Sequence, residues 1–313
     1  MAQSRAPSLR IGTRGSPLAL VQARAVRARL AAAAGVAEDA IELVVIKTTG
    51  DMILDRSLAD EGGKGLFTKE IEEALLDRRI DVAVHSTKDM PTVLPKGLVL
   101  AACLEREDPR DVFISRKVRS LAELPRGGSL GTASLRRQAI ALRARRDLRV
   151  MPLRGNVETR LRKLDAGEVD AILLALAGLK RLGLADRATV VMSTEEFLPA
   201  VGQGALALEC LSERAEVVEV LRALADRATT LATGAERALG RKLAGDCRTP
   251  LAGYGSWRGE ELWLRGLIAS RDGREVLRGE RCAAARTPAA AEALGEALGA
   301  ELLSRGAARI LAA

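Results

Sequence analysis

Apolar and polar positions alternate with a period of two from Ile80 to His85, where Ile80, Val82 and Val84 interleave with Asp81, Ala83 and His85; the pattern predicts a strand. It breaks at Ser86, and Ser-Thr-Lys-Asp-Met-Pro then places two hydroxyls, a lysine and an aspartate at the strand's C-terminal end. In open α/β sheets that end borders the ligand crevice. Strands are also predicted at Leu9–Gly12, at Leu98–Leu104 and at Ile41–Lys47, whose nearly continuous apolar run reads as a buried parallel strand. Helical periodicity covers Leu18–Leu30, behind Pro17 at the first turn, and Thr68–Arg79, with Ile71, Ala74 and Leu75 on one face. The alternation resumes with a strand ending at Ser129–Gly131 and a helix capped by Thr132 or Ser134 that carries Arg136 and Arg137. A strand at Leu148–Leu153, a helix between Asn156 and Gly167, and a buried strand at Val169–Leu176 follow. Helices alternating with strands predict an α/β fold. Two units of similar size reach to about residue 200, joined near the charged, proline-bearing stretch Glu105–Asp111. A helical stretch from Thr229 to Gly245, an antiparallel-looking segment at Gly253–Ala269 and a helix at Pro288–Ser304 form a third, smaller unit.

At 313 residues the chain suits two or three domains. Aromatics are only 2% of it, so the cores must be aliphatic. The net charge of +8 is concentrated: ten basic residues between Arg136 and Lys163 face only Asp147 and Glu158. A basic cluster suits nucleic acid or small polyanions. The segment has no aromatic residue on which bases could stack, which argues against single-stranded nucleic acid. Arginine predominates, and its fork suits carboxylates and phosphates.

The four cysteines at 103, 210, 247 and 282 are too widely spaced for a zinc or redox pair, and no metal site is expected. The opening residues lack a signal-peptide apolar core and no apolar run reaches membrane-spanning length, so a cytoplasmic protein with reduced thiols is expected. Gly62–Gly65 fails as a phosphate loop, since Lys64 is followed by Gly rather than Ser or Thr. Gly202–Ala207 fits G-x-G-x-x-A but follows a poor strand. A single histidine, His85, leaves no room for a serine-hydrolase triad and reads as a strand residue with a structural hydrogen bond.

Three loops join small polar residues to arginine at a helix start: Thr13–Ser16, Gly131–Ser134 ahead of Arg136 and Arg137, and Arg154–Asn156 ahead of Arg160. Free N–H groups, hydroxyls and guanidinium forks there suit anionic groups. With Lys88 and Asp89 they predict a crevice for a ligand bearing several negative charges.

Eight segments, in order along the chain, resemble the porphobilinogen deaminase family. They are Thr13–Leu20 (TRGSPLAL), Gly62–Phe67 (GGKGLF), Val84–Pro91 (VHSTKDMP), Ser134–Gln138 (SLRRQ), Leu153–Val157 (LRGNV), Ala177–Gly183 (AGLKRLG), Leu198–Ala205 (LPAVGQGA) and Gly245–Pro250 (GDCRTP). The resemblance implies an α/β protein of three domains, the first two like type II periplasmic binding proteins with a cleft between them, the third small with an antiparallel sheet. The implied boundaries are 1–104 plus 200–222, then 105–199, then 223–313. The implied activity is head-to-tail condensation of four porphobilinogen molecules into hydroxymethylbilane with release of ammonia, by a cytoplasmic monomer without nucleic-acid or membrane partners.

By motif position, Cys247 carries a dipyrromethane cofactor through a thioether and Asp89 is catalytic. Lys88, Thr132, Ser134, Arg136, Arg137 and Gly155 fall at cofactor-binding positions. Arg14, Ser16, Gln22, Lys64, Phe67, Arg154, Arg160, Arg181 and Gln203 fall at substrate-binding positions. Each porphobilinogen brings an acetate and a propionate, which fits the arginine-rich loops. The remaining departures from the family pattern, such as Gly15, Asp60 and Ala133, remove no expected catalytic group.

Overall fold

The computed structural model describes residues 9–52, 65–243 and 249–312. Lys64 and Cys247 lie outside them. Thirteen strands and ten helices are found among these residues. In chain order the strands are β1 (Arg10–Arg14), β2 (Glu42–Ile46), β3 (Val82–Ser86), β4 (Leu98–Cys103), β5 (Asp111–Ser115), β6 (Ser129–Gly131), β7 (Arg149–Met151), β8 (Ala171–Ala175), β9 (Val190–Val191), β10 (Leu206–Leu211), β11 (Leu251–Arg258), β12 (Glu261–Ala269) and β13 (Val276–Ala283). The helices are α1 (Pro17–Ala34), α2 (Thr49–Met52), α3 (Lys69–Leu76), α4 (Leu135–Ala144), α5 (Val157–Asp165), α6 (Leu176–Arg181), α7 (Ala215–Arg222), α8 (Arg227–Lys242), α9 (Pro288–Ser304) and α10 (Ala307–Ala312).

The described residues up to Arg106 and the segment Ala205–Thr230 form one compact unit. Its sheet has the order β2-β1-β3-β10-β4, with β1, β2 and β3 parallel and β10 antiparallel to both neighbours. One face packs on α1 and α7 through Val26, Leu30, Val82, Val84, Leu208 and Leu221. The other packs on α3 through Ile71, Leu75, Ala83 and Leu211. The strand expected to be buried at 41–47 is instead the edge strand β2, and Val45 is 52% exposed. Among the described residues β2 pairs with β1 alone, so its open flank leaves only Ile46 of the strand buried.

Glu107–Gly204 and the described residues from Leu231 onward form the second unit. It holds a sheet of order β7-β6-β8-β5-β9, which repeats the first pattern: three parallel strands, then one antiparallel strand between the third and an edge. Such a repeat is the α/β architecture expected from the sequence. It also holds the antiparallel sheet β11-β12-β13, covered by α8 and α9 through Leu239, Leu264, Leu298 and Leu302. A two-residue turn, Gly259–Glu260, joins β11 to β12, and Gly259 takes the left-handed φ of 60° that such a turn requires.

Local capping fixes the helix starts. Ser134 and not Thr132 caps α4, its Oγ accepting from the Arg137 N–H at 3.4 Å. Asn156 caps α5 by accepting from the Thr159 N–H at 2.8 Å. Asp111, which closes the charged stretch read as a junction, is not a solvated charge: it opens β5 and is fully buried. Arg145, in the basic run Arg136–Lys163, is not a solvent-side charge either. It ion-pairs with Asp147 and donates to the carbonyls of Leu121, Ala122, Leu124 and Pro125.

Candidate functional site

In the first unit the C-terminal ends of β1 and β3 meet the start of α1. Ser16 caps α1, its Oγ accepting from the Ala19 N–H at 3.3 Å, with Pro17 at the first helical position. Arg14, at the end of β1, donates through Nε to Asp51 Oδ2 at 3.2 Å, pairs with Oδ1 as well, and lies over the Phe67 ring at 4.2 Å from its centroid. Burial would raise the Asp51 carboxyl, but Arg14 and Thr48 outweigh it and hold the group below its ordinary range. Asp51 therefore fixes Arg14 as a charged fork at the strand end.

Gln22, on α1, is buried and donates from Nε2 to Ser86 Oγ at 3.1 Å. Past Ser86 the chain makes one 3₁₀ turn, Thr87–Asp89, closed by the Met90 N–H on the Thr87 carbonyl at 3.2 Å. The Thr87 N–H donates to the Ala205 carbonyl at 3.0 Å, tying the turn to the residue before β10. Lys88 and Asp89 are both half-buried. Arg14, Ser16, Gln22, Phe67, His85 and Asp89 line one pocket of about 50 Å³. That is space for a small group or a few waters at the tip of a larger ligand. The Asp89 carboxylate makes no hydrogen bond or ion pair with a described residue, while the side chains of Arg14, Ser16, Gln22, His85 and Lys88 are engaged.

In the second unit, Thr132 Oγ1 accepts from the Ser134 N–H at 3.1 Å, so both hydroxyls sit at the start of α4. Arg136 and Arg137 turn inward and are about 5% exposed. Arg137 donates from Nε and Nη2 to Asp111 Oδ1 at 3.0 and 2.8 Å, and from Nη1 to the Leu173 carbonyl at 2.9 Å. Arg136 Nη1 lies 2.7 Å from Asp111 Oδ2 and donates to the Leu198 carbonyl at 2.7 Å, while its buried Nε has no partner. Gln203 donates from Nε2 to Asp111 Oδ1 at 3.0 Å. Burial alone would raise the Asp111 carboxyl; the two guanidinium groups instead hold it far below the carboxylate range. Two cations around one anion leave a net positive charge under the start of α4.

At the next helix start, Gly155 has a φ of 109°, and a Cβ there would lie 2.6 Å from Thr159 Cγ2, so only glycine fits. Arg160 donates from Nε to the Gly155 carbonyl at 2.8 Å, and Arg154 is half-buried beside it. Arg181, at the end of α6, donates to the Gly204 carbonyl at 2.6 Å.

The structure thus gathers Arg14, Ser16, Gln22, Phe67 and Asp89, with Lys88 beside it, in the first unit. It gathers Arg136, Arg137 and Gln203 around Asp111 in the second, with Thr132, Ser134, Gly155 and Arg160 at two helix starts. Asp51 and Asp111, which anchor the arginines, carry no local sequence signal: Asp51 lies 37 residues from Arg14, and Asp111 lies 26 residues from Arg137. Within each unit taken by itself, the hydroxyls, helix N-termini and guanidinium groups suit anionic groups such as carboxylates.

A family model described as "Porphobilinogen deaminase, dipyromethane cofactor binding domain" matches residues 9–219, and one described as "Porphobilinogen deaminase, C-terminal domain" matches residues 230–304. Porphobilinogen deaminase of Nitrobacter winogradskyi is 58% identical over 265 residues, covering 85% of this chain and 84% of that protein. Porphobilinogen deaminase of Nitrobacter hamburgensis is 58% identical over 263 residues, covering 84% and 83%. Among solved structures, the methionine-binding protein MetQ superposes with a TM-score of 0.45 at 14% identity, over 69% of this chain and 89% of that one.

Proposed function

The chain belongs to the porphobilinogen deaminase family, and on that premise we propose that Asp89 is the carboxylate at which its reaction is catalysed. The reaction condenses four porphobilinogen molecules head-to-tail into hydroxymethylbilane for tetrapyrrole biosynthesis and releases one ammonia per addition. The observation that carries the reading is the pocket in which an uncommitted Asp89 faces a fixed Arg14.

The dipyrromethane cofactor, when bound, supplies the free pyrrole α-carbon at which growth begins. Arg14, Lys88 and the helix starts at Ser16, Ser134 and Asn156 bind acetate and propionate groups. They do so by charge-assisted hydrogen bonds, each roughly twice as strong as a neutral one. Departure of ammonia from porphobilinogen leaves an electron-poor azafulvene. The negative Asp89 stabilises the positive charge on the pyrrole N–H groups, and after carbon–carbon bond formation it takes up the α-proton.

The cofactor is attached, on this reading, at Cys247. The described cysteines suit attachment poorly. Cys103 is fully buried, and burial with Glu209 nearby pushes the Cys210 thiol up to about 11. Desolvation and a hydrogen bond to Glu261 raise the Cys282 thiol. A protonated thiol is a weak nucleophile. The same reading takes Arg136, Arg137, Thr132, Ser134 and Gly155 as cofactor contacts. It takes Gln22, Lys64, Phe67, Arg154, Arg160, Arg181 and Gln203 as substrate contacts. It divides the chain into domains 1–104 plus 200–222, 105–199 and 223–313, in a cytoplasmic monomer. No described helix is long and apolar enough to cross a membrane.

Steady-state ammonia release by Asp89→Asn and Asp89→Glu tests the assignment, with circular dichroism as the check on folding. Asparagine keeps the shape but not the charge, and turnover is expected to fall by about a hundredfold or more. Glutamate keeps the charge at a displaced position and should retain more activity. Asp89→Asn turning over near the wild-type rate would overturn the assignment.

A further inference from the structure

His85 is the only histidine of the chain and is buried at the end of β3, two residues before the turn that carries Lys88 and Asp89. Its Nε2 lies 3.1 Å from Glu209 Oε2 of β10, and Glu209 is fully buried. A third titratable group, Glu72 of α3, is buried on the same face of the sheet. Burial raises the Glu72 carboxyl, Glu209 raises it further, and His85 acts in the opposite direction. Glu72 Oε1, Glu209 Oε1 and Thr87 Oγ1 are buried without a hydrogen-bond partner. Unpaired buried oxygens are costly, and for the two carboxylates protonation removes the buried charge.

We propose that His85, Glu209 and Glu72 share protons as a buried cluster that positions the Lys88–Asp89 turn, making His85 a positioning residue for turnover. The inference rests on Asp89 being the reacting carboxylate. A protonated ring beside an ionised Glu209 is a neutral pair under the turn. When the ring loses its proton, Glu209 becomes an unbalanced buried anion beneath Asp89, and the turn shifts away from it. The groups around His85 are Glu72 from α3, Glu209 from β10, and Arg14 and Asp89 from the pocket side. The path to Asp89 runs through the backbone, since the Thr87 N–H is held by the Ala205 carbonyl, just ahead of β10.

Because the chain has one histidine, untagged holoenzyme gives a single imidazole spectrum, and nitrogen-detected NMR reads its protonation directly. The ring should titrate with the same midpoint as the alkaline limb of the kcat profile, kcat falling about tenfold per pH unit above it. Glu72→Gln removes one acid without touching the His85–Glu209 bond. It should move both midpoints together to lower pH and leave KM within about twofold. Midpoints that diverge, or a kcat limb that stays in place while the ring's midpoint moves, overturn the proposal. An imidazole that keeps one charge state while kcat titrates overturns it as well. Normal turnover by Asp89→Asn would instead overturn the reading of the site, so the two failures are distinguishable.

Discussion

Asp111 carries the strongest electrostatic prediction at the scale of single residues. It is fully buried between Arg136 and Arg137 and is ionised in the folded state. Removing one partner from such a set leaves buried charge unbalanced, at a cost of about 3–5 kcal/mol. Asp111→Asn should lose that much in urea unfolding at neutral pH. The folded pKa lies below the unfolded one, so the stabilisation is complete above about pH 4 and is lost as pH falls through the folded value. The gap between wild type and Asp111→Asn should therefore close on acidification, and a gap independent of pH would show that packing, not charge, is responsible. Arg145 and Arg146 give a second contrast: neighbours in sequence, they differ in that only Arg145 ties down the segment Leu121–Pro125. Arg145→Ala should lower the melting temperature clearly, and Arg146→Ala, at an exposed position, should leave it unchanged.

Among the elements, α8 and α9 show how closely two helices approach when glycine sits at the crossing. A Cβ on Gly295 of α9 would overlap the Ala235 carbonyl oxygen and lie 2.8 Å from Ala238 Cβ. Alanine improves helix propensity by about 1 kcal/mol, but overpacking against backbone costs about 1–3 kcal/mol. Gly295→Ala should thus lower the melting temperature despite its better propensity, and a rise would mean that the helices can separate freely. The ends of α9 were legible in sequence, because Thr287, Pro288 and Ser304 act within a turn of themselves. The cap at Asn156 was legible for the same reason, whereas at α4 the sequence offered Thr132 and Ser134 equally. Strand pairing was not. The run Ile41–Lys47 shows its apolar character but not that β2 has one neighbour, and Leu206–Leu211 shows nothing of its insertion between β3 and β4. Within the site, the arginine-bearing loops announce themselves, whereas the carboxylates that hold them, Asp51 and Asp111, are placed by tertiary packing alone.

For the whole molecule, the cofactor predicts a mass. Intact purified protein should exceed its sequence mass by two linked pyrrole units, carried on the peptide containing Cys247, and an unmodified Cys247 in active enzyme would sink that attachment. Serine at Cys103, Cys210 or Cys282 should leave the added mass in place. The position of β10 governs the order of events at the ribosome. Among the described residues β4 has no other sheet neighbour than β10, and β3 is bounded on that side by it. A nascent chain that has emerged only through Cys103 therefore carries an unpaired strand and an open, apolar sheet edge, the kind of surface that invites misassembly. The strands of the second sheet, β5 to β9, all lie between Asp111 and Val191 and can pair before β10 exists. The N-terminal lobe is consequently the last of the two α/β sheets to close. The Thr87–Asp89 turn acquires its anchor at Ala205, and His85 its partner Glu209, only then, so synthesis must pass residue 209 before any chain can become an enzyme.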